Sequence, residues 1–297
     1  SLCINLFEIK MGKILGLFSL IIISIGLMLV VALSFSQKKD KKREIMVNGS
    51  ENINITKIKD ANITVTFDNN QYKDGLKTSW GFSCLIKGAE KTILFDTGGD
   101  GSILLENMKK LEIKPKEIDL IVLSHIHGDH IGGLDGFLKT NPNIYVYLPK
   151  SFPTSLKRNI EKYGTKVVDV QKPMEICKGV YSTGELGTWI IEQSLIIHTH
   201  KGMVVITGCA HPGIVKIVEK AKSIIKDKVL LVMGGFHLGN KSSKEIEKII
   251  SSLKSMEVKY VGPCHCSGDN ARKLFEKEYQ KNYINIGVGK VISTKDL

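Results

Sequence analysis

The chain has 297 residues, 42% of them hydrophobic and 24% charged, with six cysteines. This excludes a disordered chain and a disulfide-stapled miniprotein, and the absence of a Gly-X-Y period excludes collagen. The net charge of +12 is compatible with nucleic acid, anionic lipid, an anionic substrate or nothing specific.

Residues 1–13 form an N-terminal extension, in which Met11 is a plausible natural start. From Ile14 to Phe35 no charge interrupts the chain. At about 1.5 Å per residue the run spans a hydrocarbon layer about 30 Å thick, so 14–35 reads as a transmembrane signal anchor. A cleaved signal peptide and secretion are the alternative, with Ala32 and Ser34 as cleavage-site residues. The basic stretch Lys38 to Arg43 favours a cytoplasmic C-terminal side, whereas single-span export favours the opposite, so orientation stays open. Residues 36–60 read as a basic linker and 61–297 as one catalytic domain.

Within that domain, Asn62–Phe67, Phe82–Lys87 and Lys91–Phe95 read as early strands. Ser102–Leu111 has helical spacing, Asp119–Ser124 is a buried strand, Ile131–Leu138 a short helix and Asn143–Leu148 another strand. A less regular stretch follows, and then Leu195–Thr199 and Met203–Thr207 form a hairpin around Lys201-Gly202. Gly213–Ile225, Ser242–Met256 and Asp269–Tyr279 are helices. They alternate with strands Lys228–Met233 and Val258–Val261, and a final short strand lies within Tyr283–Ile292. Strands followed by β/α alternation predict a sheet-rich α/β domain with outer helices.

The informative stretch is Leu123-Ser-His-Ile-His-Gly-Asp-His-Ile-Gly-Gly-Leu134. A buried strand leads directly into His125, His127, Asp129 and His130. On extended chain His125 and His127 face one side, and Gly128 permits a turn that brings Asp129 and His130 toward a second ion. Imidazole and carboxylate suit Zn, Mn or Fe. His211 and His265 each follow an apolar run beside Gly or Pro, where strand-end ligands converge.

The H-x-H-x-D-H pattern resembles the signature of the metallo-β-lactamase fold superfamily, and Leu94-Phe-Asp-Thr-Gly98 resembles its strand-end Asp. Thr207-Gly-Cys-Ala-His-Pro-Gly213, Gly234-Gly-Phe-His-Leu238 and Gly262-Pro-Cys-His-Cys-Ser-Gly268 are similar to the dihydropteroate-synthase-like branch. Archaeal relatives in that branch are described as 7,8-dihydropterin-6-yl-methyl-4-(β-D-ribofuranosyl)aminobenzene-5′-phosphate synthases. The resemblance implies an αββα sandwich holding two divalent ions, zinc or alternatively Mn or Fe. It places His125, His127 and His211 on one ion, and Asp129, His130 and His265 on the other, with Asp129 also orienting a nucleophilic water.

Where many relatives carry a bridging Asp after Thr-Gly, this chain has Cys209. It is either a thiolate ligand or a small buried residue that leaves the bridge to water. His237 is either a phosphate-binding or acid group, or a histidine facing the core. Cys264 and Cys266 are expected to project away from His265 on extended chain, packing or forming a redox-sensitive pair. His198 and His200 are expected on a solvated face, and Trp80-Gly-Phe82 lines a flat aromatic pocket or packs in the core.

The chemistry implied is hydrolysis of a phosphate ester or anhydride of a small anionic substrate by metal-bound hydroxide. The alternatives are a transferase joining a dihydropterin pyrophosphate to an arylamine, and a metal-binding sensor without catalysis. Scattered charge and the lack of an extra substrate domain argue against nucleic acid.

Overall fold

The computed structural model describes residues 55–297. The apolar run 14–35 lies outside them; among the described residues no helix is long and apolar enough to cross a membrane. The first half of the domain contains β1 (Asn62–Phe67), β2 (Ser83–Lys87), β3 (Ile93–Phe95), α1 (Gly101–Lys110) and β4 (Leu120–Val122). It continues with α2 (Gly128–Ile131), α3 (Leu134–Thr140), β5 (Tyr145–Pro149), α4 (Thr154–Glu161) and β6 (Lys166–Val170). The second half contains β7 (Met174–Cys177), β8 (Val180–Ser182), β9 (Leu195–Thr199), β10 (Gly202–Thr207) and α5 (Ile214–Ile225). Then come β11 (Val229–Gly235), α6 (Ser243–Ser255), β12 (Tyr260–Cys264), α7 (Asp269–Tyr279) and β13 (Val291–Ser293).

Two mixed sheets result, ordered β13-β1-β2-β3-β4-β5-β6 and β12-β11-β10-β9-β8-β7. Period-two alternation explains why they stack. Ile63, Val65, Cys84, Ile86, Phe95 and Val122 of the first sheet meet Ile197, Val204, Ile206, Leu231 and Met233 of the second in one buried cluster. The intervening Leu85, Leu94 and Ile121 face outward onto Leu104 and Met108 of α1 and Phe137 of α3. On the other side Val205 and Val232 face Ile217 and Val218 of α5 and Ile246 and Ile250 of α6. Three apolar layers between four layers of structure make the αββα sandwich. A register shift between Val65 and Phe67 turns Phe67 to the helix side.

Three local expectations differ from the structure. The helix expected over Ile131–Leu138 is split into α2 and α3 at Gly132-Gly133, where a Cβ on Gly133 would lie 2.1 Å from the Thr97 carbonyl oxygen. The irregular stretch after residue 148 contains α4 and β6 to β8, short elements without a strong apolar period. His198 is not solvated: it is 3% exposed, its Nε2 is 2.9 Å from Asp227 Oδ2, and its Nδ1 is 3.0 Å from the Thr56 carbonyl. The segment 56–58 covers it, since Ile58 bridges to Thr199 and Lys57 pairs with Asp227 at 2.8 Å. His200 is exposed.

Candidate metal centre

The strands β3, β4, β10, β11 and β12 all deliver their C-terminal ends to one edge of the sandwich. From the first sheet, β3 runs into Asp96, fully buried, with a left-handed backbone at φ 55°. Its Oδ1 accepts from the Ser124 backbone N–H at 2.6 Å and its Oδ2 from the Ser124 hydroxyl at 2.7 Å. The same Oδ2 lies 2.7 Å from His130 Nδ1, and Ser124 Oγ lies 2.8 Å from His125 Nδ1. With Nδ1 of each ring engaged, Nε2 of His125 and of His130 are left for an ion, the usual role of a carboxylate or hydroxyl behind a ligating histidine.

From the second sheet, β10 runs into the turn Thr207-Gly-Cys-Ala-His211. A Cβ on Gly208 would stand 2.1 Å from Ser124 Oγ, so only glycine lets the two sheets' loops touch here. Glu192, fully buried, organises this turn. Its Oε1 accepts from Thr207 Oγ1 and the backbone N–H of Cys209 and Ala210 at 2.9, 3.0 and 2.9 Å. Its Oε2 accepts from the His211 backbone N–H and faces His211 Nδ1, both at 2.9 Å. Burial alone would raise this carboxyl; the hydrogen bond to His211, the His125 ring and the backbone donors hold it well below the usual range. From β12, His265 is held by Asn69: Nδ1 lies 3.0 Å from Asn69 Oδ1, and Asn69 Nδ2 donates to the His265 carbonyl at 3.3 Å. Ala210, His237 and His265 adopt φ of 58°, 53° and 49°, left-handed conformations that non-glycine residues rarely take.

Two ligand sets converge. His125, His127 and His211 form one; Asp129, His130, Cys209 and His265 form the other; within each set the ligand atoms lie within 4.8 Å of one another. Two nitrogens on one tetrahedral ion, each about 2.0–2.1 Å from it, stand about 3.4 Å apart. His125 Nε2 and His127 Nδ1 are 3.1 Å apart, and Nε2 of His130 and of His265 are 3.3 Å apart. The residues therefore fit divalent ions. Burial pushes His125 and His130 down to about 3, and repulsion from the neighbouring rings acts the same way, so both are in the neutral, ligating form. His127 is lowered as well, by burial and by His211. Burial would raise Asp129, yet its hydrogen bond with His265 and the His130 ring hold it well below the ordinary carboxylate value.

Every site residue expected from the sequence is at this edge. His125, His127, Asp129, His130, His211 and His265 fall into the two sets, and His237 groups with Cys209 and His211. Sequence reasoning missed Glu192 and Asn69, the residues that orient His211 and His265. The extended-chain expectation for Cys266 fails, because a 3-10 turn over His265–Ser267 swings its thiol 3.7 Å from the Cys209 carbonyl. Cys264 is buried between the sheets. Trp80 is 58% exposed, its ring 4.8 Å from that of His265, while Phe82 is core.

A cleft of 430 Å³ opens beside the first set, lined by Trp189, Ile190, His211, Pro212, Lys216 and His237 among others. Trp189 is 91% exposed at the tip of a loop closed by the Leu186–Glu192 bridge. No carboxylate lines the cleft. His237 is raised by its hydrogen bond with Cys266, against the effect of burial.

This sandwich and strand-end ligand cluster define a metallo-β-lactamase-type protein, and the metallo-beta-lactamase superfamily profile matches residues 81–219. The chain belongs to that superfamily. It is 33% identical over 290 residues to the 7,8-dihydropterin-6-methyl-4-(β-D-ribofuranosyl)-aminobenzene-5′-phosphate synthase of Methanocaldococcus jannaschii, covering 81% of this chain and 99% of that protein. Ribonuclease Z of Nanoarchaeum equitans is 31% identical over 122 residues, 39% of this chain and 37% of that one. Among solved structures, Tm1679, a metal-dependent hydrolase of the β-lactamase superfamily, superposes with a TM-score of 0.66 at 29% identity, covering 78% and 98% of the two chains.

Proposed function

We propose that the chain is a dinuclear-metal hydrolase of a small phosphate ester or anhydride. The observation that carries this reading is the cleft beside His211, which contains an ammonium and an exposed histidine but no acid. Lys216 makes no ion pair among the described residues, so its charge is free for a substrate anion. Zinc suits the mixed nitrogen, oxygen and sulfur donors, with Mn or Fe as alternatives.

When bound, such ions supply hydroxide at neutral pH and polarise the scissile bond. The chain's own groups do the rest. Lys216 holds the phosphate at the cleft, and Trp189 stands in the cleft wall beside it. Asp129 orients the attacking water. His237, lifted by Cys266, is set to give a proton to the leaving oxygen.

The test is elemental analysis of the purified chain followed by assays on phosphodiesters, pyrophosphate esters, thioesters and lactams. Turnover of a phosphate substrate by the metal-loaded chain is expected. His127→Ala should lower kcat by about a hundredfold or more, at or beyond the upper end of what residues behind metal ligands contribute. Equal turnover by the variant would sink the proposal.

A second reading is favoured by the name of the M. jannaschii relative, which matches over nearly its full length. There an arylamine takes the place of water and a dihydropterin pyrophosphate loses pyrophosphate. Pyrophosphate release that requires the arylamine would select this transferase over the hydrolase.

A further inference from the structure

The cleft beside the first ligand set has two kinds of lining. His211, Lys216 and His237 are its polar groups, while Leu186, Trp189, Ile190 and Pro212 give it an apolar wall. Sites of about 300–1,000 Å³ take ligands of drug size. A cleft of 430 Å³ therefore has room for a body joined to a phosphate as well as for the phosphate itself.

Trp189 lines this cleft and yet is the most exposed large apolar side chain among the described residues, so almost no protein atom covers its indole. The loop that carries it is mounted on the metal centre. Leu186 and Glu192 close the loop by exchanging backbone hydrogen bonds, both of 2.9 Å. The Glu192 carboxylate holds His211, and the next residue, Gln193, donates from its backbone N–H to the Ser124 carbonyl at 2.9 Å and from Nε2 to the Leu123 carbonyl at 2.8 Å. The indole thus stands three residues from a carboxylate that orients a metal ligand. A group held this way needs little further ordering when a ligand arrives. Burying an aliphatic body would need only a leucine here. An indole adds a flat face and a quadrupole, which pack offset or edge-on against another ring.

We propose that Trp189 is the specificity-determining residue of the cleft. It selects phosphate compounds whose body is a flat, unsaturated ring, which packs on the indole while Lys216 pairs with the phosphate. Saturated bodies of the same size gain no ring-on-ring packing and bind less well. This rests on reading the cleft as a phosphate site.

The test is equilibrium binding, by calorimetry on the metal-loaded full chain, of benzylphosphonate and cyclohexylmethylphosphonate. Neither has an ester bond to cleave, and the two match in charge and carbon skeleton. The saturated one is the more hydrophobic, so simple burial favours it, whereas ring packing favours the benzyl compound. Benzylphosphonate is expected to bind about two- to tenfold more tightly. Trp189→Leu should abolish or reverse that preference, Trp189→Phe should restore part of it, and Trp80→Phe should leave it unchanged. Equal binding by the unaltered chain, or a benzyl preference retained in Trp189→Leu, overturns the proposal. Methylphosphonate separates this inference from the proposed function. If it and the larger phosphonates bind without distinction between ring and saturated body, the phosphate reading stands and the role of Trp189 falls. If no phosphonate binds, the phosphate reading falls, and phenylacetate against cyclohexylacetate puts the ring preference to the same test.

Discussion

The two sheets furnish the site by different means. The first gives His125 to His130 as one unbroken stretch, whose relative positions covalent geometry largely sets and one carboxylate, Asp96, braces. The second gives Cys209 and His211, His237, and His265 from the ends of three strands. Their positions depend on tertiary contacts: Glu192 behind the 207–211 turn and Asn69 behind His265. A discontinuous ligand set needs more buried polar support than a continuous one.

The sharpest way to break that comparison is Glu192→Ala. It orphans the buried N–H groups of Cys209, Ala210 and His211 together, so a loss of at least about 3 kcal/mol in denaturant unfolding is expected. An unchanged midpoint would mean that the second sheet's turn holds itself. Asp96→Asn is the matching change on the first sheet. It keeps the shape but puts an amide NH2 where an oxygen accepts from Ser124 or faces His130, so about 1–3 kcal/mol is expected, together with about ten- to hundredfold weaker metal binding measured by competition with a chelator. A larger cost than for Glu192→Ala would reverse the contrast.

Lys216→Ala probes the cleft alone. KM for a phosphate substrate should rise about tenfold with kcat held, because the lost contact is uniform binding. A fall in kcat with KM unchanged would place Lys216 in the transition state instead. The smallest effect is expected far from the site, at Asp227→Asn. Burial would raise the Asp227 carboxyl, but Lys57 and His198 hold it below its ordinary value. Its contribution is therefore complete above about pH 4 and lost as pH falls through the lowered value. The variant should be under about 1 kcal/mol less stable at neutral pH, with the gap closing only in strong acid.

The legibility of the site in the sequence follows the same division. His125 to His130 is readable because strand, turn and ligands are adjacent in the chain. Glu192 is not, since the four residues its carboxylate holds lie between 207 and 211 and its own neighbours carry no metal-type pattern. Asn69 reaches across 196 positions to His265. His198 alternates with His200 as an exposed strand would, and only the segment 56–58 lying over it makes it buried. The sandwich itself is visible in the alternation of β1 to β4 and β9 to β11, whereas β6 to β8, short and partly polar, are not.

The chain contains two tryptophans, and both stand at the site: Trp80 against the His265 ring and Trp189 in the wall of the cleft beside His211. Its entire indole emission is thus generated within reach of the two ligand sets, one fluorophore beside each. An ion binding beside His265 is expected to change the emission of Trp80, and a ligand entering the cleft that of Trp189, so the unlabelled protein offers a separate optical channel for each event.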